Sequence, residues 1–387
     1  MASTPTARGV PKPDVEVVAV DGDRSFREWC ALTDRLYAST PQFIPPLKGQ
    51  LRDFYRQKAP YFAHGDIEFL SIVSDGKVVA RTTAHTNTKL DAKLGAPQLL
   101  FGFTEFVDDD GAFGALTDAL EERARARGVA GLFGPVNLLP NQSGGVVTSG
   151  FEQRGFVDSP YNLPYYAGVY ERHGFTRVFE GATFVAPNLL RDSRPVEQLF
   201  PFDDEQIARE RLEVRSVDRR RMTAEVELVR GLLNASFAQR AYYTEIDADE
   251  MAYQVDGLSH LIDESIALVL VKADRPVAFV LCIPDISEFV RKVQGNLGLV
   301  NQLRLLLTRG RYRDEAILVI KGTLPEEQGN GYMRLLSREL LRNLRAGGYD
   351  TLRGTFVEDE NTASSSQADR MSGMPLHGVT FYRRAVA

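Results

Sequence analysis

Two stretches share one rhythm when apolar positions are marked along the chain. Residues 67–85, IEFLSIVSDGKVVARTTAH, and 265–284, SIALVLVKADRPVAFVLCIP, each hold two apolar runs broken by a short polar turn. Each pattern predicts two antiparallel strands joined by a hairpin. Ala316 to Ile320, AILVI, is apolar without alternation, as expected for a central strand covered on both faces. Beyond it Leu336, Leu340 and Leu344 recur every four residues, a helical stripe turned toward a sheet.

The rhythm belongs to a longer repeat. VEVVAVD (15–21) matches LEVRSVD (212–218), and each reads as a strand leading into a helix. SDGKVVA (74–80) lies against KADRPVA (272–278), and LTDALEERARARGVAGLFGPV (116–136) against LSRELLRNLRAGGYDTLRGTFV (336–357). Asn141 and Asn361 fall into the same register, and GATFV (181–185) sits over GVTFY (378–382). The same order predicts two copies of one α/β unit, 14–190 and 208–387, each with a mixed sheet and helices on its faces. Residues 191–207 read as a linker and 1–13 as a disordered N-terminus. A length of 387 residues suits two such units.

Composition narrows the function. The chain is 43% hydrophobic and 25% charged with a net charge of −6, and its longest basic run is Arg219-Arg220-Arg221. Nucleic acid is therefore not an expected partner, because that affinity rests on neutralising phosphates. Cys30 and Cys282 cannot form a disulfide framework, and five scattered histidines show no HxxxH pair, so no metal is assigned. The polar N-terminus lacks the apolar core of a signal peptide. Lys272, Asp274 and Arg275 interrupt the most apolar stretch too early for a membrane span. A cytoplasmic setting is the expectation.

The chemistry centres on TLPEEQGNGYMRLLSREL (323–340), where strand, glycine turn and helix follow one another. Backbone N–H groups near 328–332 are free donors at a helix start, and Gly329 and Gly331 allow close approach of a phosphate. No Lys-Ser or Lys-Thr follows the second glycine, and the spacing is not GxGxxG, so neither a Walker loop nor a dinucleotide fold is indicated.

The turn resembles the acyl-coenzyme A loop of the GNAT acyltransferases, (Gln/Arg)-x-x-Gly-x-(Gly/Ala), on Glu326-Glu327-Gln328-Gly329-Asn330-Gly331. The glycines match and Glu326 departs. Like charges ~6 Å apart cost roughly 3 kcal/mol at an effective dielectric of 20 and under 1 kcal/mol in water, so Glu326 is expected to point outward. FGFTEF (101–106), GPVNLLPNQSGG (134–145) and PYNLPYY (160–166) extend the resemblance to two-lobed bacterial GNAT-like proteins over most of residues 40–387. It implies acetyl-CoA or a longer acyl-CoA as co-substrate and an amine of a small molecule or peptide as acceptor. Lys321, Gly322, Thr323, Gln328, Gly329, Asn330, Gly331, Tyr332 and Asn361 are the implied coenzyme contacts, although an N-cap role explains Asn361 equally. The matching loop of the first copy, 106–113, carries Asp108, Asp109 and Asp110. These would repel a diphosphate, so one coenzyme site is expected, in the second copy.

In such enzymes a carboxylate takes the amine proton, directly or through water. Glu105 and Asp285 are the candidates, with His85 a third. PYYAGVYERHGF (164–175) resembles the Tyr-Glu-Lys-x-Gly-Phe motif whose tyrosine protonates the departing thiolate. That places Tyr170 in the first copy, where packing explains it as well, while the second copy has Gln367 or Asp369 there. The acid then comes across the lobe interface, from Tyr382 or another group, or is absent. The alternatives are an acyl-CoA-binding protein without turnover, and fatty-acyl or aminoacyl-tRNA-dependent transfer on the same fold.

Overall fold

The computed structural model describes residues 15–138, 144–157, 159–240, 243–255 and 262–386. The expected disordered segment 1–13 and Asn141 lie outside them. Thirteen strands among the described residues form one mixed sheet. They are β1 (Val15–Ala19), β2 (Ile67–Ser74), β3 (Lys77–His85), β4 (Leu99–Phe106), β5 (Gly131–Gly134), β6 (Val146–Ser149) and β7 (Thr176–Ala186). Then follow β8 (Leu212–Ser216), β9 (Ala267–Lys272), β10 (Arg275–Pro284), β11 (Glu315–Thr323), β12 (Thr351–Glu358) and β13 (Met374–Ala385).

The two apolar stretches form the hairpins β2–β3 and β9–β10. Asp75 and Gly76 (φ 50° and 70°) turn the first, and Ala273 and Asp274 (φ 47° and 71°) the second, with both central residues left-handed as a tight hairpin requires. The helix Tyr332–Gly347 lays Leu336, Leu340 and Leu344 against β9 and β10, each at most 1% exposed. Each such burial is worth about 2 kcal/mol.

Sheet order is β1-β2-β3-β4-β5-β13-β7-β12-β11-β10-β9-β8, with β6 also on β13. The chain order of elements repeats, but the last strands are exchanged. β7 pairs with β12 of the second half, and β13 pairs with β5 of the first. β7 and β13 then pair with each other, from Met374 opposite Val185 to Arg383 opposite Thr176. The segment read as a linker packs on the second half: Phe200 is fully buried and Arg345 donates to the Arg194 carbonyl.

Candidate active site

β11 and β12 run parallel from Glu315–Thr351 to Leu318–Gly354, and there the ladder ends. Local irregularity opens them. Leu281 of β10 faces Ile320 and Cys282 faces Leu318, so Val319 is an extra residue that bends β11. On the other side, β12 loses its pairing with β7 between Gly354 and Val357. The Thr355 hydroxyl donates to the Val319 carbonyl at 2.8 Å across the mouth of this wedge. Beyond it, among the described residues, backbone N–H groups on the open side of β11 lack a partner strand and can donate to a carbonyl.

A cavity of about 1280 Å³ reaches the wedge. Leu318, Ile320, Phe356 and Val357 line it from the strands, and Val229, Leu233 and Phe237 from the helix Met222–Phe237. It continues under the first half to Leu100 and Phe133. Lys321 lines the same space and holds the Gln367 side-chain carbonyl. Burial lowers its amine to about 8.

The glycine turn lies at the outer end of β11. Gly329 and Gly331 have φ of 86° and 80°, a region costly to any residue with a Cβ. Among the described residues, the amides of Gly329, Asn330 and Gly331 donate to no backbone carbonyl, and no side chain caps the helix from Tyr332. Such alternating backbone at a helix start is an anion-binding concavity. Glu326 is exposed and paired with Arg275. Glu327 is buried, its carboxylate 2.8 Å from Lys272 and accepting from Asn330 Nδ2 at 3.3 Å. The Lys272 ammonium also lies 5.4 Å from the Tyr332 ring, whose hydroxyl bonds Glu210. Each glutamate thus meets a cation, and neither is left to repel a phosphate.

The other implied contacts differ in kind. A Cβ on Gly322 would lie 2.8 Å from both Phe279 and Ser236, so this glycine serves close packing. Thr323 pairs with Ala278 in the ladder, and Gln328 Nε2 donates to the Thr323 carbonyl at 3.3 Å. Asn361 lines the cavity while its Oδ1 accepts from Ser364 N at 3.3 Å, an N-cap.

Glu105, Asp285 and Tyr170 do not meet. Glu105 ends β4, five strand steps from β11, on the order of 24 Å along the sheet. It accepts from the Tyr37 and Tyr166 hydroxyls at 2.7 and 2.6 Å; loss of water raises its carboxyl while the Arg81 guanidinium opposes the rise. Asp285 accepts from Arg154 at 2.9 Å and from the Ser287 amide at 2.8 Å, inside a network with Glu315 and Arg353. Arg154 comes from the first half, so Asp285 ties the halves together. Tyr170 is 1% exposed and stacks on Tyr382 at 4.7 Å in the aromatic core of the first half, where burial raises its hydroxyl.

His85, the third candidate, lines the cavity. Thr83 Oγ1 donates to the Gly102 carbonyl at 3.1 Å and stands 3.2 Å from His85 Nδ1. His85 Nε2 is buried and has no hydrogen-bond partner among the described residues. Burial holds the imidazole neutral, down to about 3. Sequence reasoning found the histidine but not the cavity, because its lining comes from strands and helices of both halves. It also missed the bridge between the halves at Lys89, whose ammonium is 3.1 Å from Asp247 and 2.7 Å from Glu250, with His64 at 2.7 Å from Asp247. A cation occupies the centre of that acidic group.

The first half has a wedge too, but it is closed. β4 and β5 pair only at Leu99–Leu132 and Leu100–Phe133. Past them Val136 N donates to Phe101 O at 2.8 Å and Asn137 Oδ1 accepts from Phe103 N at 3.1 Å, stitching the edges together. Asp109 caps the following helix from within, accepting from Ala112 N at 2.7 Å, and Asp110 is 2.9 Å from Arg172.

A parallel pair splayed by a bulge, a glycine turn and a helix behind it, repeated with exchanged last strands, define the fold: the chain has the two-lobed GNAT fold. A solved tandem GNAT protein from the clavulanic acid biosynthesis pathway superposes with a TM-score of 0.59 at 14% identity, over 97% of this chain and 99% of its own. By sequence the chain is 23% identical to Protein YghO of Escherichia coli K12 over 93% of each. It is 24% identical to the bacterial ceramide synthase of Caulobacter vibrioides over 96% of this chain and 98% of the other. No family model matches the chain. Among the described residues, no helix is long and apolar enough to cross a membrane.

Proposed function

We propose that the protein is an acyl-CoA-dependent N-acyltransferase that moves a long acyl chain from coenzyme A to the amine of a lipid-like acceptor. The observation that carries this reading is the continuity of the open β11–β12 wedge with an apolar cavity of about 1280 Å³. Pockets for ordinary small ligands hold ~300–1,000 Å³. The volume far exceeds what an acetyl group needs and leaves room for a fatty chain. The name of the Caulobacter relative, a ceramide synthase, points to the same pairing of a fatty acyl group with a long-chain amine.

In this reading the amides of Gly329, Asn330 and Gly331 hold the coenzyme diphosphate, with Gln328, Tyr332 and the β11 residues Lys321 to Thr323 around it. The thioester lies in the wedge, where a β11 amide stabilises the oxyanion as the amine attacks. Attack forms the amide bond and breaks the C–S bond, and the thiolate leaves as coenzyme A. Lys321, with its depressed amine, is better placed at the wedge than Glu105, Asp285 or Tyr170 to exchange a proton with the reacting groups. His85 Nε2 forms a hydrogen bond with a polar group of the bound lipid at the far end of the cavity.

The test is turnover with purified protein, acyl-CoAs of rising chain length and a long-chain amino alcohol. Free thiol release and the amide mass are followed together. Thiol and amide appearing in equal amounts, faster with long chains, is the expected outcome. Acetyl-CoA outperforming every long chain overturns the chain-length reading. Coenzyme A binding without thiol release from any acyl-CoA and amine would leave a binding protein.

A further inference from the structure

The helix Leu299–Thr308 is apolar on two sides. Leu305 faces inward at 1% exposed, beside Phe289 and Val290. Leu299, Val300, Leu303 and Leu307 face outward at 84, 81, 60 and 79% exposed. These are the four most exposed of the seven exposed large apolar side chains among the described residues. Leu299, Leu303 and Leu307 follow one another at four-residue spacing, a single stripe. A contiguous bare stripe of this kind marks an interaction surface.

Its surroundings say what covers it. Residues 291–313 carry Arg291, Lys292, Arg304, Arg309, Arg311 and Arg313 and not one carboxylate, in a chain whose net charge is −6. Arg291 is 2.7 Å from Glu288 and Arg313 is 3.4 Å from Asp263. Lys292, Arg304, Arg309 and Arg311 are exposed and meet no carboxylate among the described residues. Leucines beside unpaired cations suit an anionic bilayer surface. They do not suit a second copy of this chain, which would bring the same cations face to face. The helix also stands at the cavity, which Leu297, Gln302, Leu305 and Leu306 help to line.

We infer that the Leu299–Thr308 helix seats the protein on an anionic lipid surface, the three leucines in the acyl boundary and the four cations among headgroups. This goes beyond the proposed activity and does not depend on it. The residues that line the cavity from this helix then lie next to the lipid surface.

Sedimentation of the full chain with phosphatidylcholine vesicles, with and without phosphatidylglycerol, tests it. The protein is expected to pellet with the anionic vesicles and to bind pure phosphatidylcholine about tenfold less. L303E/L307E loses that binding, and R304Q/R309Q/R311Q loses the preference for phosphatidylglycerol. All five substituted side chains are exposed, so both variants keep the parent melting temperature. Protein that stays in the supernatant with anionic vesicles overturns the inference. So does L303E/L307E binding like wild type, or a dimer on sizing that L303E/L307E splits into monomers. Vesicle binding needs no turnover, so an inactive chain answers the question equally well.

Discussion

Lys321 gives the wedge a titration that stability measurements can read. Burial lowers its amine to about 8, against ~10.4 in an unfolded chain. Below pH 8 the folded state bears the full cost of holding a charge there. Between about 8 and 10.4 the unfolded chain binds the extra proton, so stability rises with pH through that window. Lys321→Met removes the titration. The melting temperature of wild type relative to this variant is expected to climb from pH 7.5 to 10, and a flat difference would deny the shift. Gly329 offers a second test. A Cβ there meets no atom within 4 Å, yet φ is 86°. Gly329→Ala should cost about 1 kcal/mol in denaturant unfolding. If the turn holds a diphosphate, coenzyme A affinity measured by calorimetry falls at least tenfold beyond that. At this scale the sequence displayed the charges but not their partners: Arg275 and Lys272 reach Glu326 and Glu327 from a hairpin some fifty residues upstream.

At the scale of elements, the apolar pattern was enough to find both hairpins, the β11 strand and the helix behind it, because each is an unbroken apolar run or stripe in the sequence. The wedge was hidden. It arises from one extra residue, Val319, and from lapsed pairing beside Gly354, neither of which alters the apolar pattern. The stitched wedge of the first half was equally invisible, since it depends on Asn137 folding back onto Phe103. The open wedge can be blocked. Leu318 lines the cavity where the strands part. Leu318→Trp should lower turnover of long-chain acyl-CoA about tenfold and leave short chains within twofold, the signature of a filled channel and not of a broken site. Equal losses for all chain lengths would place the acyl group elsewhere.

For the molecule as a whole, the exchanged strands make the two halves interdependent. A fragment ending at residue 190 keeps β7 but lacks β13, leaving β5 with a bare edge. Separately expressed pieces, split at 190, are expected to aggregate. Produced together they should copurify with the circular dichroism of the intact chain. Independent folding of either piece would contradict the exchange. The repeat in sequence could not reveal this, because GATFV and GVTFY fit either half equally well.

That arrangement also governs how the cavity admits anything. β7 and β13 pair from Met374 opposite Val185 to Arg383 opposite Thr176, through two register shifts, so a hinge between the halves would have to break ladder hydrogen bonds. Outside the sheet the cavity is lined by the helix Met222–Phe237 and by residues 296–306, where an opening would leave that ladder intact.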